Sequence, residues 1–196
     1  MEFDIYNIIE KLKEKRKSFV SEADFQFSLA WEIQTLYPDA KILLEYPLDF
    51  DKSMHLDILV ILNNKWIPIE LKHKTEIHGA IDLGAYSYIK DISRIESIRK
   101  NKADKFHKGY TIMLTDFINY RLFPKKKDVG YWDFNLKDGR IIEENTELSF
   151  PKNYKIAKKH PSIKIISEYS IKWDIYSNKN DNNEDEIWYI LINEIV

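Results

Sequence analysis

Apolar residues along the chain recur with two periods. From Asp4 to about Lys17, Ile5, Ile8, Ile9 and Leu12 stand at helical spacing. In "SEADFQFSLAWEIQTLYP" the stripe Phe25, Leu29, Ile33, Leu36 predicts a second helix. Ser21 suits its N-cap, Asp24 stands three residues on as a capping-box partner, and Pro38 stops it. "KILLEYPLDF" predicts a strand. "AIDLGAYSYIKDISRIESIRK" places Ile81, Ala85, Tyr88, Ile92 and Ile95 on one face of a long helix, and "GYTIMLT" is a short buried strand. Farther on, Asp138-Gly139 predicts a hairpin turn. "SIKIISEYSIKWDIYS" and "EIWYILINEIV" alternate like strands, around a polar linker, "NKNDNNEDE", expected to be a mobile loop.

Between the first strand and the long helix lies "HLDILVILNNKWIPIELKHK", two apolar runs interrupted by Asp57, Glu70 and Lys72. Asparagine tolerates positive φ, so Asn63 and Asn64 suit a two-residue type I′ turn. That turn sets Leu62 opposite Lys65 and, counting outward, Asp57 opposite Glu70. Lys72, two residues beyond Glu70, then shares their face. Two opposed carboxylates repel unless something holds them. A divalent cation would, since Mg²⁺ takes one or two protein carboxylates and completes its shell with water and phosphate oxygens. The plain alternative is a solvated strand face on which Lys72 pairs with either acid.

Composition narrows the field without deciding it. The chain has 196 residues, 44% hydrophobic and 14% aromatic, which suits a single folded domain. It has no cysteine, so disulfides and thiolate metal sites are excluded. No apolar run approaches a membrane span and no basic leader opens the chain, so a cytoplasmic protein without a membrane partner is expected. Net charge is −2, with basic clusters at Lys11–Lys17, Arg99–Lys108, Lys125–Lys127 and Lys152–Lys164, and acids gathered at Asp181–Glu186. Five glycines without a GxxxxGK argue against a phosphate loop, and the histidines lack the His-x₃-His spacing of a zinc site.

With "LD" at Leu56-Asp57 and "IELK" at Ile69–Lys72 on an apolar hairpin, the chain resembles the PD-(D/E)XK nuclease superfamily. The resemblance covers about Ser18 to Thr115. It implies a restriction-endonuclease-like α/β (α+β) domain over 1–196, with its core at about 18–120 and a β-rich C-terminal part at 121–196. It implies a Mg²⁺-dependent endonuclease, with Mn²⁺ as a substitute, hydrolysing DNA in restriction, defence or repair. A homodimer would suit double-strand cutting with one site per chain. By the same resemblance Asp57 is the central metal ligand, Glu70 the second, Leu71 a carbonyl donor and Lys72 the catalytic lysine. Glu22 is the helix-borne acid, with Gln26 in support and Glu45 its rival. The eponymous proline is Leu56 here. Asp91 and Arg94, spaced i, i+3, read as a surface ion pair, while Arg94 and Arg99 are candidates for phosphate contact. The alternative on the same fold is an inactive nucleic-acid-binding or regulatory module.

Overall fold

The computed structural model of the chain describes residues 2–51, 54–78, 80–124, 129–179 and 186–196. The basic run at 125–127 and the linker at 180–185 lie outside the described residues. The order is α1 (Ile5–Lys15), α2 (Glu22–Leu36), β1 (Lys41–Pro47), β2 (His55–Leu62), β3 (Lys65–Lys74), α3 (Ile81–Asn101) and β4 (Gly109–Thr115). Four two-residue strands follow: β5 (Ile141–Ile142), β6 (Glu147–Leu148), β7 (Ile163–Lys164) and β8 (Tyr169–Ser170). β9 (Trp173–Lys179) and β10 (Glu186–Ile195) complete an α+β fold. None of the described helices is long and apolar enough to cross a membrane.

Local chemistry accounts for the element ends. The Asp4 carboxylate accepts from the Tyr6 and Asn7 N–H groups, and Ser21 Oγ accepts from Asp24 N. Asp24 does not close a capping box: its carboxylate accepts from Val20 N at 3.1 Å and from Arg16 at 2.7 Å. A nearby guanidinium outcompetes a second backbone amide.

Six strands form one mixed sheet in the order β1-β2-β3-β4-β10-β9. Only the β3–β4 pair is parallel, and α3 is its crossover. Asn63 and Asn64 have φ of 51° and 61°, as a type I′ turn requires. The β2–β3 register runs from Leu62–Lys65 to Ile58–Ile69 with no slip. Apolar burial holds that register. Ile58, Val60, Ile69 and Leu71 are fully buried beneath α1 and α2, each contributing about 1.5–3 kcal/mol. A one-residue slip would turn all four outward and bring the charged face in.

The other sheet face carries α3, packed against Met113, Leu191 and the irregular 134–171 segment. Two expectations fail here. Gly139 does take the left-handed φ of 80°, but no hairpin forms, because β5 pairs with β8 and not with the chain before the turn. "SIKIISEYSIKWDIYS" is three strands in place of one, because the Glu96 carboxylate of α3 captures the Ile166 and Ser167 N–H groups (2.8–3.1 Å) and the Tyr169 hydroxyl (3.0 Å). Amides taken by a buried acid cannot join a ladder. β10, from the C-terminal part, sits inside the main sheet between β4 and β9.

Candidate active site

The hairpin brings Asp57, Glu70 and Lys72 to the α3 face of the sheet. The β1–β2 register sets Glu45 beside Asp57, and β3–β4 and β4–β10 continue the row through Thr111 and Asn193. Polar residues thus run across five adjacent strands, next to rows of buried apolar residues such as Ile58, Ile69 and Ile112.

At this row the β2–β3 ladder opens. Leu71 N donates to Asp57 Oδ2 at 2.6 Å, and the Asp57 carbonyl accepts from Gln26 Nε2 at 2.7 Å. Gln26 also donates to Glu45 Oε1 at 2.7 Å. Glu45 reaches that position through a φ of 48°, left-handed backbone that a non-glycine residue adopts in a strand only when its surroundings impose it. Gln26 therefore ties α2, β1 and β2 together at the site. Glu22, half-buried on α2, accepts from His73 N at 2.9 Å and anchors the far end of the same strand. His73 itself points to the opposite face and stacks on Trp188 at 5.1 Å.

Helix α3 supplies two residues that the sequence reading misplaced. Asp91 and Arg94 are no surface pair: their side chains are 4% and 19% exposed, and each reaches the sheet. Asp91 Oδ2 lies 2.7 Å from Lys72 Nζ, and Arg94 Nη2 lies 3.2 Å from Glu70 Oε1. The i, i+3 contact between them is present as well, at 3.2 Å. A signal for their burial stood in the sequence. Tyr86, Ile89 and Ile98 widen the apolar stripe of α3 beyond one face, so that little of the helix could be solvated. Arg99 is elsewhere, donating to the Val196 carbonyl and to Ser167. The basic cluster on α1 is largely paired within the protein, as Lys11–Glu14, Lys13–Glu10, Lys15–Glu32 and Arg16–Asp24.

The electrostatics follow from burial and sign. Burial pushes the Asp57 carboxyl above its ordinary value, with Lys72 and the Leu71 N–H acting against it. Glu70 is pushed well above, by burial first and then by Asp91 and Asp57. Burial lowers the Lys72 ammonium, but Asp91, Glu22 and Asp57 outweigh it, and the net shift is upward. Lys72 therefore stays cationic. The lowered value that a general base would need is absent.

Among the described residues the three carboxyl groups of Asp57, Glu70 and Asp91 share two cations, Lys72 and Arg94, and the shortage of positive charge is met by raised carboxyl values, that of Glu70 well above the ordinary one. Both Glu70 oxygens, Arg94 Nε and Thr111 Oγ1 are buried without a hydrogen bond of good geometry. Such orphaned groups mark a place that another ligand can complete. Among the described residues no three of His, Cys, Asp and Glu converge as a metal cage. The donor set is two carboxylates and the Leu71 carbonyl, which already accepts from Lys72 Nζ at 2.8 Å, and it suits Mg²⁺ better than a metal needing an all-protein shell. A cavity of about 480 Å³ between α1 and α2 is lined by Leu12, Phe27, Trp31 and Glu32 and shares none of these residues; its acid is already neutralised by Lys15 at 2.6 Å.

The raised carboxylates predict a pH dependence of stability. Between the ordinary carboxylate value and the folded one, the native state holds a proton that the unfolded chain has lost, so stability falls as pH rises through that window. His73, lowered by burial, acts in the opposite sense, so the comparison must be with Glu70→Gln. The wild-type melting temperature is expected to drop relative to Glu70→Gln as pH rises above the ordinary carboxylate range, by about 2–4 °C per kcal/mol. A constant difference across that range would show that Glu70 does not titrate there.

Comparison with protein-family models, curated proteins and solved structures finds no match for the chain.

Proposed function

We propose that the chain is a Mg²⁺-dependent endonuclease of the restriction-endonuclease-like, PD-(D/E)XK kind, hydrolysing phosphodiester bonds in DNA. The observation that carries this reading is the type I′ hairpin, whose register sets Asp57, Glu70 and Lys72 on one face, where with Asp91 and Arg94 three carboxyl groups meet two cations. The order α2-β1-β2-β3-α3-β4, with β3 and β4 parallel, supports the same reading.

Asp57, Glu70 and the Leu71 carbonyl would hold the metal, with Glu22 or Glu45 as a further acid. Bound there, Mg²⁺ or Mn²⁺ would supply a water of lowered pKa and positive charge for the scissile phosphate. Asp57, less buried than Glu70, is the carboxylate open to that water. Lys72 contributes a fixed positive charge for the negative charge that develops on the phosphoryl oxygens. Gln26 holds the β1–β2 side of the site open by taking the Asp57 carbonyl out of the ladder. A homodimer acting in the cytoplasm would present two such sites to a duplex, in restriction, defence or repair.

The second reading, a silent nucleic-acid-binding or regulatory module, is favoured by one contact. Arg94 already pairs with Glu70, which is only 1% exposed. Incubating the purified chain with supercoiled plasmid and with DNA and RNA oligonucleotides in Mg²⁺ or Mn²⁺, with and without chelator, separates the two. Cleavage abolished by chelator, and reduced on the order of 10²–10³-fold in Lys72→Ala, is the expected outcome. Binding without cleavage, or full cleavage by Lys72→Ala, would end the nuclease reading.

A further inference from the structure

Glu70 and Lys72 lie two residues apart on one strand face, close enough to neutralise each other directly. They do not. Lys72 Nζ is 2.7 Å from Asp91 and donates to the Leu71 carbonyl at 2.8 Å, while Glu70 Oε1 is 3.2 Å from Arg94. Arg94 is fixed in turn, donating to Asp91 Oδ1 at 3.2 Å and to the His55 carbonyl at 2.7 Å. Charges alternate along the path Lys72, Asp91, Arg94, Glu70, and the β3 backbone closes the ring.

Fold stability gives little reason for this ring. Buried ion pairs are on average no better than apolar packing of the same volume. Helix α3 is already held by Tyr88, Ile92 and Ile95, all fully buried. A lysine has a long flexible stem, and without an anchor it would be drawn to whichever carboxylate lies nearest. Asp91 removes that freedom and leaves Asp57 and Glu70 uncapped by Lys72.

We propose that Asp91 is a positioning residue, which anchors the Lys72 ammonium against the Leu71 carbonyl and, through Arg94, orients the Glu70 carboxylate. Its value for cleavage rests on the nuclease reading above; the anchoring itself does not.

The test has two arms. In the first, the folded protein is acetylated with an N-hydroxysuccinimide ester at one fixed pH, and Lys72 is followed by peptide mapping. Lys72 is expected to be protected in the wild type and labelled several-fold faster in Asp91→Asn. Where Asp91→Asn does not fold, Asp91→Glu decides, since it keeps the charge but moves the carboxylate by a methylene. An unchanged labelling rate in a folded variant overturns the proposal. In the second arm, methylammonium is added to Lys72→Ala. Partial recovery of cleavage that disappears in Lys72→Ala/Asp91→Asn supports anchoring by Asp91, and equal recovery in both overturns it. A wild type that cuts nothing sinks the nuclease reading alone, and the labelling arm still decides the anchoring.

Discussion

Asp57→Asn is expected to abolish metal-dependent cleavage while leaving the protein slightly more stable. Both effects have one cause. The Asp57 charge is held at an energetic cost, because burial disfavours it and Asp91 repels it. The carbonyl oxygen of Asn can still accept the Leu71 N–H that Asp57 Oδ2 holds at 2.6 Å, so the opened ladder keeps its shape. Removing the charge relieves that desolvation and repulsion. The same change removes a ligand from a site with only two well-placed carboxylates, and a loss of 10²–10³-fold or more in cleavage is the expected scale. Calorimetric titration with Mn²⁺ and urea denaturation check the two halves separately. Stability that falls by several kcal/mol, or metal affinity that persists, would show that Asp57 is structural. A gain in stability with loss of activity is the signature of strain kept for function.

Glu96→Ala should be strongly destabilising although it lies outside the site, costing about 2–4 kcal/mol. Glu96 is 1% exposed and accepts from Ile166 N, Ser167 N and the Tyr169 hydroxyl. Alanine would remove the acceptor of three donors at once, of which the Tyr169 hydroxyl is buried and the two amides are partly so. They lie at the joint between α3 and the strands that lead into β9, so the loss would loosen the C-terminal part against the helix. Glu96→Gln keeps one acceptor oxygen and should cost roughly half as much. Urea midpoints with unchanged m-values measure this directly. An Ala variant within 1 kcal/mol of wild type, on the ordinary scale of surface substitutions, would mean that water replaces the carboxylate without penalty.

The hairpin was legible from the chain because everything it needs is local. Two asparagines determine the turn, the turn determines the register, and period two assigns the faces. Helices α1, α2 and α3 were legible for a similar reason, each carrying its own apolar stripe. Glu96 was not, and for Asp91 and Arg94 the wide stripe of α3 signalled burial without naming their partners on β3. A helical period says which way a residue faces, but not what the chain will lay over it later. The cover on α3 comes from residues 134–171, whose short strands and turns have no period to read. The break in "SIKIISEYSIKWDIYS" was hidden likewise, since the acid that captures its amides lies some 70 residues earlier in the chain. Glu45 was read as a rival ligand from its strand alone, while its left-handed backbone answers to Gln26, on a different element.

That left-handed residue also bears on self-association. β1 is an edge strand, and edge strands offer a free ladder to any other chain. Here the outer ladder is interrupted twice within three residues, by Glu45 at φ 48° and by Pro47, which has no N–H to give. Lys41 and Glu45 add exposed charge along the same margin. An approaching strand would find neither a continuous row of donors nor a flat apolar surface. The distortion that brings a carboxylate to the charged row thus also guards the sheet's outer margin against edge-to-edge aggregation.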